Sequence, residues 1–209
     1  MRKLLIIPIM LAILTACQPT PTPKTIDILG DSLTQQAYWN RDAAFLAQGQ
    51  PPGSDVVFDA WMGNQFHDVQ AAETARVNDT EQPRPAIMVI ALGTNNALGW
   101  TGYWTTSDQQ DYDKLLNTPH ATTCVVVVLP GFSYKPSIEQ KAQEQVSKAR
   151  SYMKTQALAR PKTVVADWGA IARAHPEYTT DDGIHLVDTD AVKNLYAKTI
   201  WDGVNSCPA

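Results

Sequence analysis

Ser32 lies in Gly30-Asp31-Ser32-Leu33, directly after an apolar run, and Asp182-Gly183-Ile184-His185 follows about 150 residues later. A serine hydroxyl becomes a strong nucleophile only when a base takes its proton, and an imidazole held by a carboxylate does this near neutral pH. Ser32, His185 and Asp182 are the residue types for acyl transfer through a covalent serine ester. Asp181 adjoins Asp182 and competes for the orienting role.

Two further motifs carry the donors such chemistry needs. Asp59-Ala60-Trp61-Met62-Gly63-Asn64 offers a backbone N–H at Gly63, and Gly93-Thr94-Asn95-Asn96 offers a neutral side-chain amide at Asn95. Donors of this kind stabilise the oxyanion of a tetrahedral intermediate. Each motif has a plainer reading by itself: Asp31 and Ser32 as helix caps, Gly63 as a loop glycine, Asn95-Asn96 as a turn, and Asp-Gly as a turn before a surface histidine.

The elements that must position these residues are legible as alternating runs. Five β-rich segments, Thr25 to Leu29, Asp55 to Ala60, Ala86 to Leu92, Thr123 to Leu129 and Lys162 to Asp167, alternate with helical patterns. The helical patterns are Leu33 to Leu46, His67 to Val77, Ser137 to Leu158 and Asp190 to Val204. Alternation of this kind predicts α/β architecture, a three-layer α/β/α sandwich around a five-stranded parallel sheet. The continuously apolar runs at 87–92 and 124–129 predict central strands covered on both faces. All four motifs then fall at carboxyl ends of strands, where doubly wound sheets bind ligands.

The 209 residues, 44% of them hydrophobic, suit one well-cored domain. Arg2 and Lys3, the apolar segment Leu4 to Leu14, and Thr15-Ala16 read as a signal peptide over 1–16, the apolar part being short for a membrane span. Leu14-Thr15-Ala16-Cys17 is similar to the lipobox of bacterial lipoproteins, which implies a lipidated Cys17 and attachment to a membrane of the cell envelope. The Pro/Thr-rich stretch at 17–24 reads as an extended tether, and 25–209 as the folded domain. Removing Arg2 and Lys3 takes Lys+Arg from 17 to 15 against 21 Asp+Glu and the net charge from −4 to −6. That balance weighs against nucleic acid and against a polybasic membrane surface. Cys124 and Cys207 are open to disulfide pairing in an exported chain, with a buried free Cys124 as the alternative. His67, His120 and His175 lack the spacing of a zinc site, and neither metal nor cofactor is expected.

In identity, order and spacing the four motifs resemble the SGNH, or GDSL-type, hydrolase family, over roughly Ile26 to Val204. The resemblance implies a flavodoxin-like sandwich. It assigns Ser32 as nucleophile, His185 as base and Asp182 as its orienter. The oxyanion donors it implies are Gly63, Asn95 and the Ser32 backbone N–H. The family's Asp-x-x-His spacing selects Asp182 over Asp181, and its Gly-x-Asn-Asp block departs here at Asn96. Val164-Val165-Ala166-Asp167-Trp168, with Asp182 to Leu186, further resembles SGNH domains of peptidoglycan O-acetyltransferases. Those domains are typically fused to an integral membrane acyltransferase, a domain not expected within these residues.

The leading expectation is an envelope-anchored ester hydrolase acting on short acyl groups of carbohydrate. A transferase to a glycan hydroxyl and a non-catalytic glycan-binding lipoprotein are the alternatives. Trp39, Trp61, Trp100 and Trp104 are candidates for the substrate pocket, with ordinary packing as the competing role.

Overall fold

The computed structural model describes residues 24–38, 49–81, 84–98, 103–133 and 140–208. The signal segment, Cys17, most of the tether, Trp39, Trp100 and the starts or ends of two expected helices lie outside them. The strands are β1 (Thr25–Gly30), β2 (Asp55–Ala60), β3 (Ile87–Ala91), β4 (Cys124–Val128) and β5 (Thr163–Ala166). The helices are α1 (Ser32–Tyr38), α2 (Phe66–Asn78), α3 (Thr94–Leu98), α4 (Thr106–Asn117), α5 (Gln140–Ala159), α6 (Trp168–Ala174) and α7 (Asp190–Asn205). Three of these, α3, α4 and α6, were not anticipated from the sequence.

All five strands are parallel, in the order β2-β1-β3-β4-β5. The strand order reverses at β1 and β3, so the crevice beyond their carboxyl ends is where this topology leaves room for a ligand. Ser32 directly follows that end of β1, and Asn95 that of β3.

The continuous apolar runs divide by strand periodicity into two cores. Cys124, Val126 and Val128 of β4 face a cluster with α1, α6 and α7, including Trp168 and Trp201. Val125 and Val127 face a second cluster with α2, α4 and α5, including Phe66, Tyr112 and Met153. Both faces are buried, which explains why β3 and β4 carry no polar alternation. The charged residue inside β1, Asp27, is 1% exposed and forms an ion pair with Arg76 of α2, which also pairs with Glu73 at 3.1 Å.

Cys124 opens β4 and Cys207 follows α7, and the two are joined by a disulfide with Cα atoms 5.9 Å apart. The bridge ties the amino-terminal edge of a central strand to the end of the last described helix. Among the described residues no helix is long and apolar enough to cross a membrane, and no cluster of His, Cys, Asp or Glu is arranged to hold a metal ion.

Candidate active site

The turn leaving β1 separates two duties that the sequence left in competition. Asp31, 1% exposed, caps α1: its Oδ1 accepts from Leu33 N at 3.1 Å, and its carbonyl accepts from Gln35 N at 2.9 Å. Ser32 is thereby free to aim elsewhere, and its Oγ lies 3.0 Å from Nε2 of His185. Nδ1 of the same ring lies 2.6 Å from Asp182 Oδ2.

Asp182 is held by its neighbours as well as by the ring. Its Oδ1 accepts from Thr180 Oγ1 at 2.7 Å, Ile184 N at 2.8 Å and His185 N at 3.0 Å. Partial burial would raise its pKa, but the bonds from His185, Ile184 and Thr180 outweigh it and hold the carboxyl well below the usual carboxylate range. An ionised carboxylate only accepts, so the imidazole Nδ1–H donates to it and Nε2 is left to accept the Ser32 proton.

The loop carrying both residues is a tight hairpin built from its own backbone. Thr180 N donates to His185 O and Gly183 N to Thr180 O, each at 2.8 Å, and Thr179 bridges Leu186. Gly183 takes a φ of +70° at the turn. The hairpin is sewn to the segment after β4, where Ser133 N donates to Gly183 O at 3.0 Å and the Ser133 and Thr179 hydroxyls share a short bond. It is sewn to α1 by Leu186 N donating to Gln36 Oε1 at 3.1 Å. Two of the three layers therefore fix where His185 points.

The opposite rim is strapped by Asn64, whose Nδ2 donates to Gly30 O at 3.1 Å and whose carbonyl accepts from Asn95 Nδ2 at 3.1 Å. That bond takes one N–H of the Asn95 amide and leaves the other. Gly63 has a φ of +87° with open space where a Cβ would stand, a backbone conformation that L side chains rarely adopt. The residues named from sequence on strands one, two, three and the late loop are gathered at one end of the sheet.

The sequence matches the model of the GDSL-like Lipase/Acylhydrolase family over residues 28–189. The chain belongs to that family. YrhL of Bacillus subtilis (strain 168), named as a candidate peptidoglycan O-acetyltransferase, is 29% identical over 175 residues; these cover 83% of this chain but 23% of the relative. Among solved structures, the C-terminal catalytic domain of the Streptococcus pneumoniae peptidoglycan O-acetyltransferase OatA, carrying a methylsulfonyl adduct, superposes with a TM-score of 0.64 at 22% identity. The match covers 89% of this chain and 92% of that one. A variant of the acetyl xylan esterase Axe2 from Geobacillus stearothermophilus gives a TM-score of 0.65 at 14% identity, covering 90% and 97%. These structural likenesses establish the fold: a GDSL-family α/β sandwich.

One departure of this GDSL-family chain from the usual block has a visible compensation. Asn96 Oδ1 accepts from Phe66 N at 3.2 Å, while its Nδ2 donates to Asp108 Oδ1 at 2.7 Å. Asp108 in turn caps α4, its Oδ2 accepting from Thr105 N at 2.7 Å. A second carboxylate at position 96 would face Asp108 directly, and the amide provides the donor instead.

The tryptophan candidates separate. Trp61 is 55% exposed beside Gly63, on the rim. Trp104 is a correction: at 8% exposure it lies in the core, edge-on to Phe66 at 6.2 Å and tilted against Tyr152 at 5.9 Å. Its ring packs in the α2–α4–α5 layer, with an edge on a recess that it lines together with Tyr103 and Tyr152. Asn64, Thr180 and Ser133 were missed by sequence reasoning, because their importance comes from partners distant in the chain.

Proposed function

We propose that this chain is a carboxylic-ester hydrolase in which Ser32 is the nucleophile, His185 the proton shuttle and Asp182 the group that orients and charges-balances the imidazole. The observation that carries the reading is the continuous hydrogen-bonded row Ser32–His185–Asp182, 3.0 Å and 2.6 Å in its two links. His185 takes the hydroxyl proton as Oγ bonds to the ester carbon. The carbonyl oxygen gains negative charge, stabilised by N–H donors of Ser32, Gly63 and Asn95. Collapse breaks the bond to the alcohol, which leaves with the proton from His185. Water, deprotonated by the same ring, then cleaves the acyl-serine and releases the acid.

The substrate class is a short acyl ester of carbohydrate, O-acetyl first. Support comes from the acetyl-transferring and acetyl-cleaving names among its relatives. The chain is further proposed to be exported and held on a bacterial envelope membrane by lipids on Cys17, on the strength of the lipobox-like Leu14-Thr15-Ala16-Cys17.

A serine-reactive phosphonate combined with a short-chain chromogenic ester tests the reading. Turnover together with phosphonylation of Ser32 is expected, both lost in Ser32→Ala; turnover that persists without Ser32 overturns it. The second reading, transfer to a glycan hydroxyl through the same acyl-serine, is favoured by the YrhL and OatA relationships. It predicts acetylated acceptor in excess of free acetate when an oligosaccharide is supplied.

A further inference from the structure

At the end of the sheet opposite Ser32, a recess of about 390 Å³ opens beside the Cys124–Cys207 disulfide. Lys24, Arg84, His120 and Lys162 line it, and no Asp or Glu does. Lys24, Arg84 and Lys162 are exposed and pair with no carboxylate among the described residues. Arg160 stands alongside, its guanidinium spent on neutral backbone carbonyls of His120, Thr123 and Pro161 at 3.3, 3.4 and 3.0 Å. In a chain whose net charge is −4, a gathering of unpaired cations at one end is not what the overall balance leads one to expect. The net charge weighs against a basic membrane surface for the molecule as a whole, but a surface responds to the face it meets within a Debye length, about 8 Å in physiological salt.

We propose that this basic recess is a docking site for the phosphate headgroups of anionic membrane lipids, and that it seats the domain base-down on the bilayer. The inference rests on the reading of Cys17 as a lipid anchor. Two features select this occupant. Lys24 sits seven positions after Cys17 and enters β1 at the same end of the sheet as the recess, so an extended tether of roughly 3 Å per residue keeps the base within about 20 Å of the anchor. The cations are also exposed and unpaired, as a fluid, multivalent phosphate surface requires. The consequence is orientation: with the recess on the lipid, the Ser32 end of the parallel strands faces away from the membrane, toward envelope polymer.

Lysine acylation footprints of the full chain on vesicles test this. On phosphatidylglycerol–phosphatidylcholine vesicles, labelling of Lys24 and Lys162 should slow relative to Lys148 on α5. A factor of roughly fivefold is expected, the scale of one basic side chain at an anionic surface. The protection should vanish on pure phosphatidylcholine and in high salt. Arg84→Glu with Lys162→Glu should remove the protection of Lys24 without changing hydrolysis of a soluble ester. Equal labelling on both vesicle types overturns the docking site, whether or not Cys17 carries acyl chains. Protection by soluble glycerol phosphate but not by vesicles overturns the membrane as its source. Protection on anionic vesicles by a chain whose Cys17 is found unmodified supports the headgroup site and overturns the anchor reading instead.

Discussion

Asp31 and Asp182 are two carboxyl groups opposite in environment. Asp182 is wrapped in donors and remains charged, so Asp182→Asn removes the acceptor that fixes the imidazole tautomer. Ester turnover is expected to fall by about a thousandfold to ten-thousandfold in kcat, with the fold intact by circular dichroism. Asp31 is buried, and desolvation pushes its carboxyl up to about 6, partly offset by the Leu33 N–H, the Thr94 hydroxyl and the charge of His185. A carboxyl whose folded pKa exceeds its unfolded value binds its proton more tightly in the native state. Its contribution is therefore most favourable below pH 4 and is lost as pH rises from about 4 to about 6. Asp31→Asn, which keeps an acceptor for the Leu33 cap, should gain stability over the parent across that window. The gain should be of the order of 3 kcal/mol above it, read from denaturant melts at a series of pH values.

Among elements, α4 shows how a cap and a catalytic loop are coupled. Asp108 caps α4 with one oxygen and takes the Asn96 amide with the other, so Asn96→Asp sets two carboxylates against each other. A loss of about 1–3 kcal/mol is expected, along with slower turnover, because Asn95 is the adjacent residue. Combining it with Asp108→Asn restores one donor and one acceptor across the gap and should recover most of the stability; a double variant no better than the single one would show that the pairing is not what matters. The same helix explains what the sequence could and could not reveal. β3 and β4 were legible because burial on both faces forces an unbroken apolar run. α4 was not, because its buried residues, Tyr112, Leu115 and Leu116, make a single i, i+3, i+4 set confined to its last turns, with no apolar residue to extend it over the first turns. Its capping box, Thr105 with Asp108, was the available signal. Ser32, Asp182 and His185 were readable from motif spacing, whereas Asn64 and Ser133 are ordinary loop residues until the fold brings Gly30, Asn95 and Gly183 to them.

At the scale of the molecule, the Cys124–Cys207 bridge closes a long segment, with a sequence separation of 83. Chain-entropy arguments put the cost of losing such a cross-link at about 4.5 kcal/mol. Cys207→Ser is expected to lower the denaturant midpoint markedly while leaving ester turnover near parental at low temperature, since the bridge is at the far end of the sheet from Ser32. A large drop in kcat without a drop in stability would contradict that separation of duties. The distance along the chain between Ser32 and His185, 153 positions, has a consequence for biogenesis. The hydroxyl is made early and its base late, with four of the five strands, β2 to β5, between them. A growing polypeptide therefore carries the serine without the imidazole proposed to activate it. On the proposed triad, hydrolytic power appears only once the hairpin after β5 docks against α1, so the nascent chain is chemically silent toward esters until then.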